Sequence, residues 1–231
     1  LDSKGKWRTP FSPRASNHRN DDYCEGTAWQ WTWFVPHDVK GLIELMGGKT
    51  KFTEKLDSLF TADSSLEGEL VSADITGLIG QYAHGNEPSH HIIHLYNYAD
   101  QPWKTQELVD SVFRSQYHNA PDGLSGNEDC GQMSAWYIMN SIGFYQVCPG
   151  KPVYSIGRPL FDEVIINLPG NKKFTVKTIN NRKENRYIEK AVLNGVILEK
   201  PFINHKDIMN GGIIEFTMTD KPTQWGYIAE N

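Results

Sequence analysis

Three short stretches of this sequence place carboxylates in company that points to chemistry: "YCEGTAWQWTW" at 23–33, "HGNEPSHHIIH" at 84–94 and "GNEDCGQMSAWY" at 126–137. The tripeptide Gly-Asn-Glu occurs in both the second and the third. In the first, Glu25 precedes Gly26 and is followed by Trp29, Trp31 and Trp33. Indole faces stack on the apolar faces of pyranose rings, and an apolar wall raises a glutamate's pKa, as a general acid needs. The plainer reading is a helix start with a core aromatic stripe, and a helix N-terminus would lower that pKa instead. In the second stretch, Asn86 and Glu87 offer hard oxygen donors of the kind that suit calcium. His90 and His94 stand at i and i+4, as in zinc hydrolases, but His91 occupies the place where those enzymes keep a glutamate. A capped helix with partner-satisfied histidines is the remaining reading. In the third stretch Glu128 and Asp129 are adjacent, and one of them is a candidate base acting on water. Asp129 with Gln132 three residues later also has the pattern of a capping box. Cys130, at a helix start that favours thiolate, is a candidate nucleophile.

The elements around these loops must position them. Apolar spacing and breakers predict helices over 27–47 (interrupted near Pro36 and stopped by Gly47-Gly48), 50–61, 88–98, 102–117 and 129–144. The stretch 62–83 is ambiguous, with a short helix near 75–82. After Pro149 the period changes: "DEVIINL", "KFTVKTI", "NGVIL" and "GIIEFTM" read as strands, with turns at Pro169-Gly170-Asn171, Asn194-Gly195 and Asn210-Gly211-Gly212. The chain thus divides into an extended lead-in over 1–20, a helical portion over 21–148 and an antiparallel β portion over 149–231, a mixed and mainly α architecture. If consecutive helices alternate in direction, those starting near 27, 88 and 129 begin at one end of the array. The loops holding Glu25, Asn86-Glu87 and Asn127-Glu128-Asp129 then form one carboxylate cluster.

Bulk properties narrow the function classes. The 231 residues carry a net charge of −5, and no basic run has the footprint of a nucleic-acid binder. Lys172, Lys173, Lys177, Arg182, Lys183, Arg186 and Lys190 form a mildly basic cluster that reads as a solvated face. No apolar run approaches the roughly 20 residues of a membrane span. Cys24, Cys130 and Cys148 are far apart and form no CxxC pair, which argues against a cysteine zinc site or a disulfide framework. The chain begins at Leu1 with no signal peptide, so either the start was removed or this is a piece of a longer chain.

Taken together, "EGTAWQWTWFVPHDVKGLI", "HGNEPSHHIIHLYNYA" and "GNEDCGQMSAWYIMNSIGFYQVCPG" resemble the conserved blocks of glycoside hydrolase family 92, as do "GRPLFDEVIINLP" and "KPFINHKDIMNGGIIEFTM" further on. The resemblance runs from about 21 to 219. It implies a calcium-dependent, inverting, exo-acting α-mannosidase that removes terminal mannose, through α-1,2 or α-1,3 linkages, from N-glycans or yeast-type mannans. It implies a bacterial periplasmic, cell-surface or secreted location. It also implies part of an (α/α)6 helical toroid followed by a small antiparallel, β-sandwich-like domain. An N-terminal β-sandwich and the remaining toroid helices would be partners supplied from outside this chain, which alone is expected to be inactive. Residue by residue, Glu25 matches the general acid and Asp129 a carboxylate of the base region. Asn127 and Glu128 stand where some members carry a second acid, which leaves the partition of the base role open. Asn86 and Glu87 fall in the block associated with calcium. His84, Trp29 and Gln132 are the expected substrate-binding residues. Two rivals stand beside this reading: a non-catalytic carbohydrate-binding fragment, and a glycoprotein amidase on a similar toroid.

Overall fold

The stretches with helix-forming patterns become helices only between their own stop signals. In the computed structural model, which describes residues 4–7, 9–18 and 21–227, α1 (Ala28–Trp31) is a single turn and α2 (Val39–Leu45) resumes after Pro36. Helix α3 (Lys49–Thr61) follows Gly48 and buries Phe52, Leu56 and Leu59 along one stripe. Helix α4 (Pro102–Ser115) has Pro102 in its first turn, where no N–H is needed. Helix α5 (Gln132–Ile142) lies between Gly131 and Gly143, both at positive φ. A short α6 (His205–Met209) comes late in the chain.

The expectation of a mainly α chain is overturned. Among the described residues 31% are helical and 22% lie in strands. The predicted helix over 88–98 is instead two 3₁₀ segments, Glu87–Ser89 and Ile92–Ala99. Seven of the eight residues in the second segment are buried. Having no solvent face, the segment takes its shape from its surroundings, and it packs against α2, α3, α4 and the strand Val153–Ile156. The ambiguous stretch near 75–82 forms no helix but a tight hairpin of β1 (Leu78–Ile79) and β2 (Tyr82–Ala83).

The remaining strands form two sheets. Strands β3 (Phe144–Tyr145), β4 (Val153–Ile156) and β9 (Phe202–Asn204) make an antiparallel three-stranded sheet. Strands β5 (Glu163–Leu168), β6 (Lys172–Ile179), β10 (Gly212–Thr219), β7 (Tyr187–Leu193) and β8 (Val196–Ile197) lie in that order in a five-stranded sheet. The antiparallel expectation fails at its centre, because β10 runs parallel to β6 while pairing antiparallel with β7. Hairpin cues of two to four residues cannot report this pairing, which joins segments more than thirty residues apart in the chain. The Asn194-Gly195 turn does join β7 to β8 as its type predicts, with φ of 50° and 81°.

Two apolar cores result. One gathers Trp33, Phe52, Leu56, Tyr82, Ile93 and Trp136 from the helical side, the other Phe144, Phe174, Ile188, Ile214 and Phe216 from the sheets, and Met139 of α5 packs against both. Of the lead-in, Ser16 N donates to the Glu67 carbonyl and His18 N to the Leu70 carbonyl, which ties the strand-like segment to the loop after α3. The lead-in residues 1–3, 8, 19 and 20 lie outside the described residues, as do 228–231 of the C-terminal portion. No described helix is long and apolar enough to cross a membrane.

Candidate active site

The two Gly-Asn-Glu loops meet through their glycines. A Cβ on Gly126 would lie 2.4 Å from the Gly85 carbonyl oxygen and 2.7 Å from its Cα. A Cβ on Gly85 would lie 1.9 Å from Thr76 Oγ1. Backbone passes against backbone here, and any side chain would force the loops apart. Asn86 then connects the first loop, donating from Nδ2 to the Glu25 carbonyl oxygen at 2.8 Å. Gly26 lies beneath Trp31, whose Nε1 donates to the Cys24 carbonyl at 2.8 Å. Thr27 starts α1 with a capping box, its own N–H donating to Gln30 Oε1 at 2.6 Å. Glu25 therefore stands two residues ahead of the helix cap.

Glu25 and Asp129 are both exposed, and both hold left-handed backbone, at φ 49° and 45°. Cys130 and Gly131 continue this conformation at 58° and 92°. Non-glycine residues in this region are uncommon and collect at functional sites. The run also corrects the capping-box expectation. Asp129 offers its backbone carbonyl, not its side chain, to Gln132 N at 3.2 Å, and the cap of α5 is Gly131.

Glu87 feels the charges of both other carboxylates. Burial holds its carboxyl above the usual carboxylate range, and the proximity of Asp129 and Glu25 pushes the same way. Its Oε1 is buried with no hydrogen-bond partner. Among the described residues no three His, Cys, Asp or Glu side chains form a ready metal cage.

Glu128 points elsewhere. Its two oxygens accept from Ser134 N at 3.1 Å and Ser134 Oγ at 2.8 Å, which binds it to the first turn of α5. His84, expected at the substrate, is 0% exposed. Its Nδ1 pairs with Tyr82 Oη and its Nε2 with Tyr117 Oη, each at 2.8 Å. With both nitrogens engaged and the ring closed in, it holds the wall behind the loops and offers no atom to a ligand. Burial, with His90 beside it, holds His84 well below the usual imidazole range.

Gln132 bridges inward, its Nε2 lying 3.2 Å from His90 Nδ1 and 3.1 Å from Tyr145 Oη. Tyr145 was not singled out from the sequence, though it lies within the "GFYQVCPG" stretch. Burial pushes its hydroxyl up to about 12, with Gln132 opposing and Glu87 adding to the rise. Trp29 carries the Lys55 ammonium 4.3 Å from its ring centroid, so one indole face is covered by a cation. Zinc at His90 and His94 finds no support in the geometry. His90 Nε2 meets the His84 carbonyl at 3.0 Å, and His94 is held between Ser155 Oγ and Asn140 Oδ1. Cys130 makes no hydrogen bond to a histidine among the described residues and lies outside α5, just ahead of its Gly131 cap.

Comparison with known proteins gives this arrangement a context. The catalytic-domain profile of glycosyl hydrolase family 92 matches residues 1–220. An uncharacterized secreted glycosidase of Arthroderma benhamiae is 34% identical over 205 residues, which is 87% of this chain and 24% of that protein. A family GH92 α-mannosidase of Bacteroides thetaiotaomicron, solved in complex with mannoimidazole, superposes with a TM-score of 0.90 at 41% identity, covering 99% of this chain and 30% of that one. A family GH92 inverting mannosidase of the same organism superposes at 0.83 with 39% identity, over 97% of this chain and 31% of the other. The chain spans less than a third of the length of each of these relatives.

Proposed function

Since the chain belongs to glycosyl hydrolase family 92, we propose that its carboxylate cluster supplies the acid and the base of an inverting α-mannosidase. The observation that supports this reading is the meeting of the three acidic loops, Gly126 against Gly85 and Asn86 Nδ2 on the Glu25 carbonyl oxygen, with the charges of Glu25 and Asp129 both acting on Glu87. Inversion needs one carboxyl to protonate the leaving oxygen and another to activate water across the ring, about 6.5–9.5 Å away. Glu25 is the acid: it gives its proton to the glycosidic oxygen as the bond from C1 breaks. Asp129 is the base: it takes a proton from water as the water oxygen bonds to C1, and β-mannose is released. Asp129 has this role rather than Glu128 because the Glu128 carboxylate is bound to Ser134. His84 and Gln132 are positioning residues that brace the loops from behind.

Support for mannose as the sugar comes from the two solved relatives, both mannosidases, one of them inverting and the other bound to mannoimidazole. Terminal α-1,2- or α-1,3-linked mannose of N-glycan or mannan type is the proposed substrate. Export from the cell is proposed because the Arthroderma relative is described as secreted. Glu25 and Asp129 lie exposed on this chain, so walls from the rest of the family's catalytic unit are needed to exclude water. We therefore expect the 231-residue chain by itself to release no mannose from α-mannobiose.

Calcium fits the donor set. A buried Glu87 oxygen without a donor, acted on by the charges of Asp129 and Glu25, is an arrangement that a divalent cation would relieve. Glu87 and Asn86 would hold it through their side-chain oxygens. When bound, calcium would polarise the hydroxyls of the sugar and help flatten its ring. The test of the whole reading is proton NMR of the first-formed anomer from an α-mannoside, using an active preparation that contains this chain. β-Mannose, with activity lost to a chelator, is expected; α-mannose would rule the assignment out.

A further inference from the structure

The basic residues that read as a solvated face do not all point to open solvent. Arg182 and Lys183, in the loop between β6 and β7, reach the helical side and line a cavity of about 310 Å³ with Asp110 and Arg114 of α4 and with Arg158. Arg158 is 3% exposed. Its Nη1 donates to the Pro159 carbonyl oxygen at 3.0 Å. Its Nε lies 3.4 Å from Asp110 Oδ1, within ion-pair distance but out of hydrogen-bond alignment, and has no acceptor. The carboxylate it faces is already engaged: Arg114 holds Asp110 in a fork, Nε to Oδ2 at 2.7 Å and Nη2 to Oδ1 at 3.0 Å. Four cationic residues thus line a cavity in which Asp110 is the one acidic lining residue, with Lys183 also presenting its backbone carbonyl to Arg114 Nη2 at 3.0 Å, in a protein whose net charge is −5. Burial lowers the proton affinity of Arg158; Asp110 opposes this, and Arg114 and Arg186 add to it.

The buried Arg158 guanidinium shares its one carboxylate with Arg114 and keeps a donor, Nε, without an acceptor, an excess of positive charge that a further anion would offset. The planar fork of Arg matches the paired oxygens of a phosphate or sulfate, and Arg182 and Lys183 add two further cations from exposed positions along the lining. We propose that this cavity is a binding site for a tetrahedral oxyanion, either free phosphate or sulfate or the same group carried on a glycan. The site joins α4, the Arg158 segment after β4 and the β6–β7 loop, so a bound anion would clamp the helical side to the sheet. It is independent of the carboxylate cluster and of the reaction assigned there.

Thermal unfolding and calorimetric titration of the chain with sodium phosphate test this, with sodium chloride of equal ionic strength as the control. Phosphate is expected to raise the midpoint where chloride does not. Arg158→Gln removes the buried fork but also breaks a buried ion pair, so the decisive variant is the double substitution Arg182→Gln with Lys183→Gln at exposed positions. That variant is expected to fold with an unchanged midpoint in phosphate-free buffer and to bind phosphate about tenfold more weakly, as loss of charge-assisted hydrogen bonds implies. A hexose 6-phosphate that binds more tightly than phosphate identifies a glycan-borne group; one that binds more weakly identifies the free anion. Equal responses to phosphate and chloride, or wild-type phosphate affinity in the double variant, would overturn the proposal.

Discussion

Glu87 is the residue on which the proposed site turns, because its environment penalises its charge from three directions: burial, Asp129 and Glu25. In the folded chain it keeps its proton to higher pH than in the unfolded chain, so native stability is lost as pH rises through the raised value. Glu87→Gln removes that loss. In metal-free buffer the variant should show a higher urea midpoint than the parent at neutral pH, and no advantage once both forms of the glutamate are protonated in acid. Calcium should raise the thermal midpoint of the parent and leave the variant unmoved, a readout that needs no turnover. For the acid, Glu25→Gln in an active preparation should lower kcat on α-mannobiose by about 10²–10⁴-fold, and by less on an activated aryl mannoside whose leaving group needs little protonation. An unchanged kcat on mannobiose would remove Glu25 from the acid role. Asp129→Asn should impair both substrates alike, since each needs activated water. That carboxylates stand in these three loops was legible from residue types and spacing. The engagement of Glu128 with Ser134 and of His84 with two tyrosines was not, because a side chain's rotamer and its distant partners leave no local pattern.

At the scale of elements, the loops matter more than the helices they join. The expected arrangement relied on alternating α-helices, yet the middle member of that series is a buried 3₁₀ segment, and a hairpin occupies the ambiguous stretch before it. The three acidic loops still come together, through contacts of their own: Gly85 on Gly126, and Asn86 to the Glu25 backbone. Gly126→Ala tests this. Its Cβ would enter the backbone of Gly85, and overpacking of this kind costs about 1–3 kcal/mol, measurable as a lowered urea midpoint. Activity of a preparation carrying it should fall further than that stability loss explains, since Glu87 and Asp129 would be moved apart. Gly131→Ala is the control. Nothing lies within 4 Å of its built Cβ, so only the positive φ of 92° is penalised, by roughly 1 kcal/mol.

For the molecule as a whole, the helical core is closed around four buried histidines, His84, His90, His91 and His94. Burial lowers the pKa of each, to about 4 for His90 and His94. The unfolded chain binds these protons near 6.5 and the folded chain does not. Stability therefore falls as pH drops from that value toward about 4, and each such group steepens the slope by up to roughly 1.4 kcal/mol per pH unit. A urea midpoint that is level between pH 7 and pH 5 would show that the histidines are solvated in solution.

Sequence alone determined the turn and cap positions that are local in cause, such as Pro102 opening α4, Asn194-Gly195 turning β7 into β8, and the stripe of Phe52, Leu56 and Leu59 along α3. It also determined which residue types stand in the three acidic loops, because motif spacing is itself sequence. Tertiary structure decided the rest. The parallel pairing of β10 with β6, the 3₁₀ form of Ile92–Ala99 and the union of Arg158 with Arg182 and Lys183 each depend on segments distant in the chain. Burial and electrostatic proximity act through space over a few ångströms whatever the sequence separation, whereas propensity and periodicity act only between neighbours along the chain.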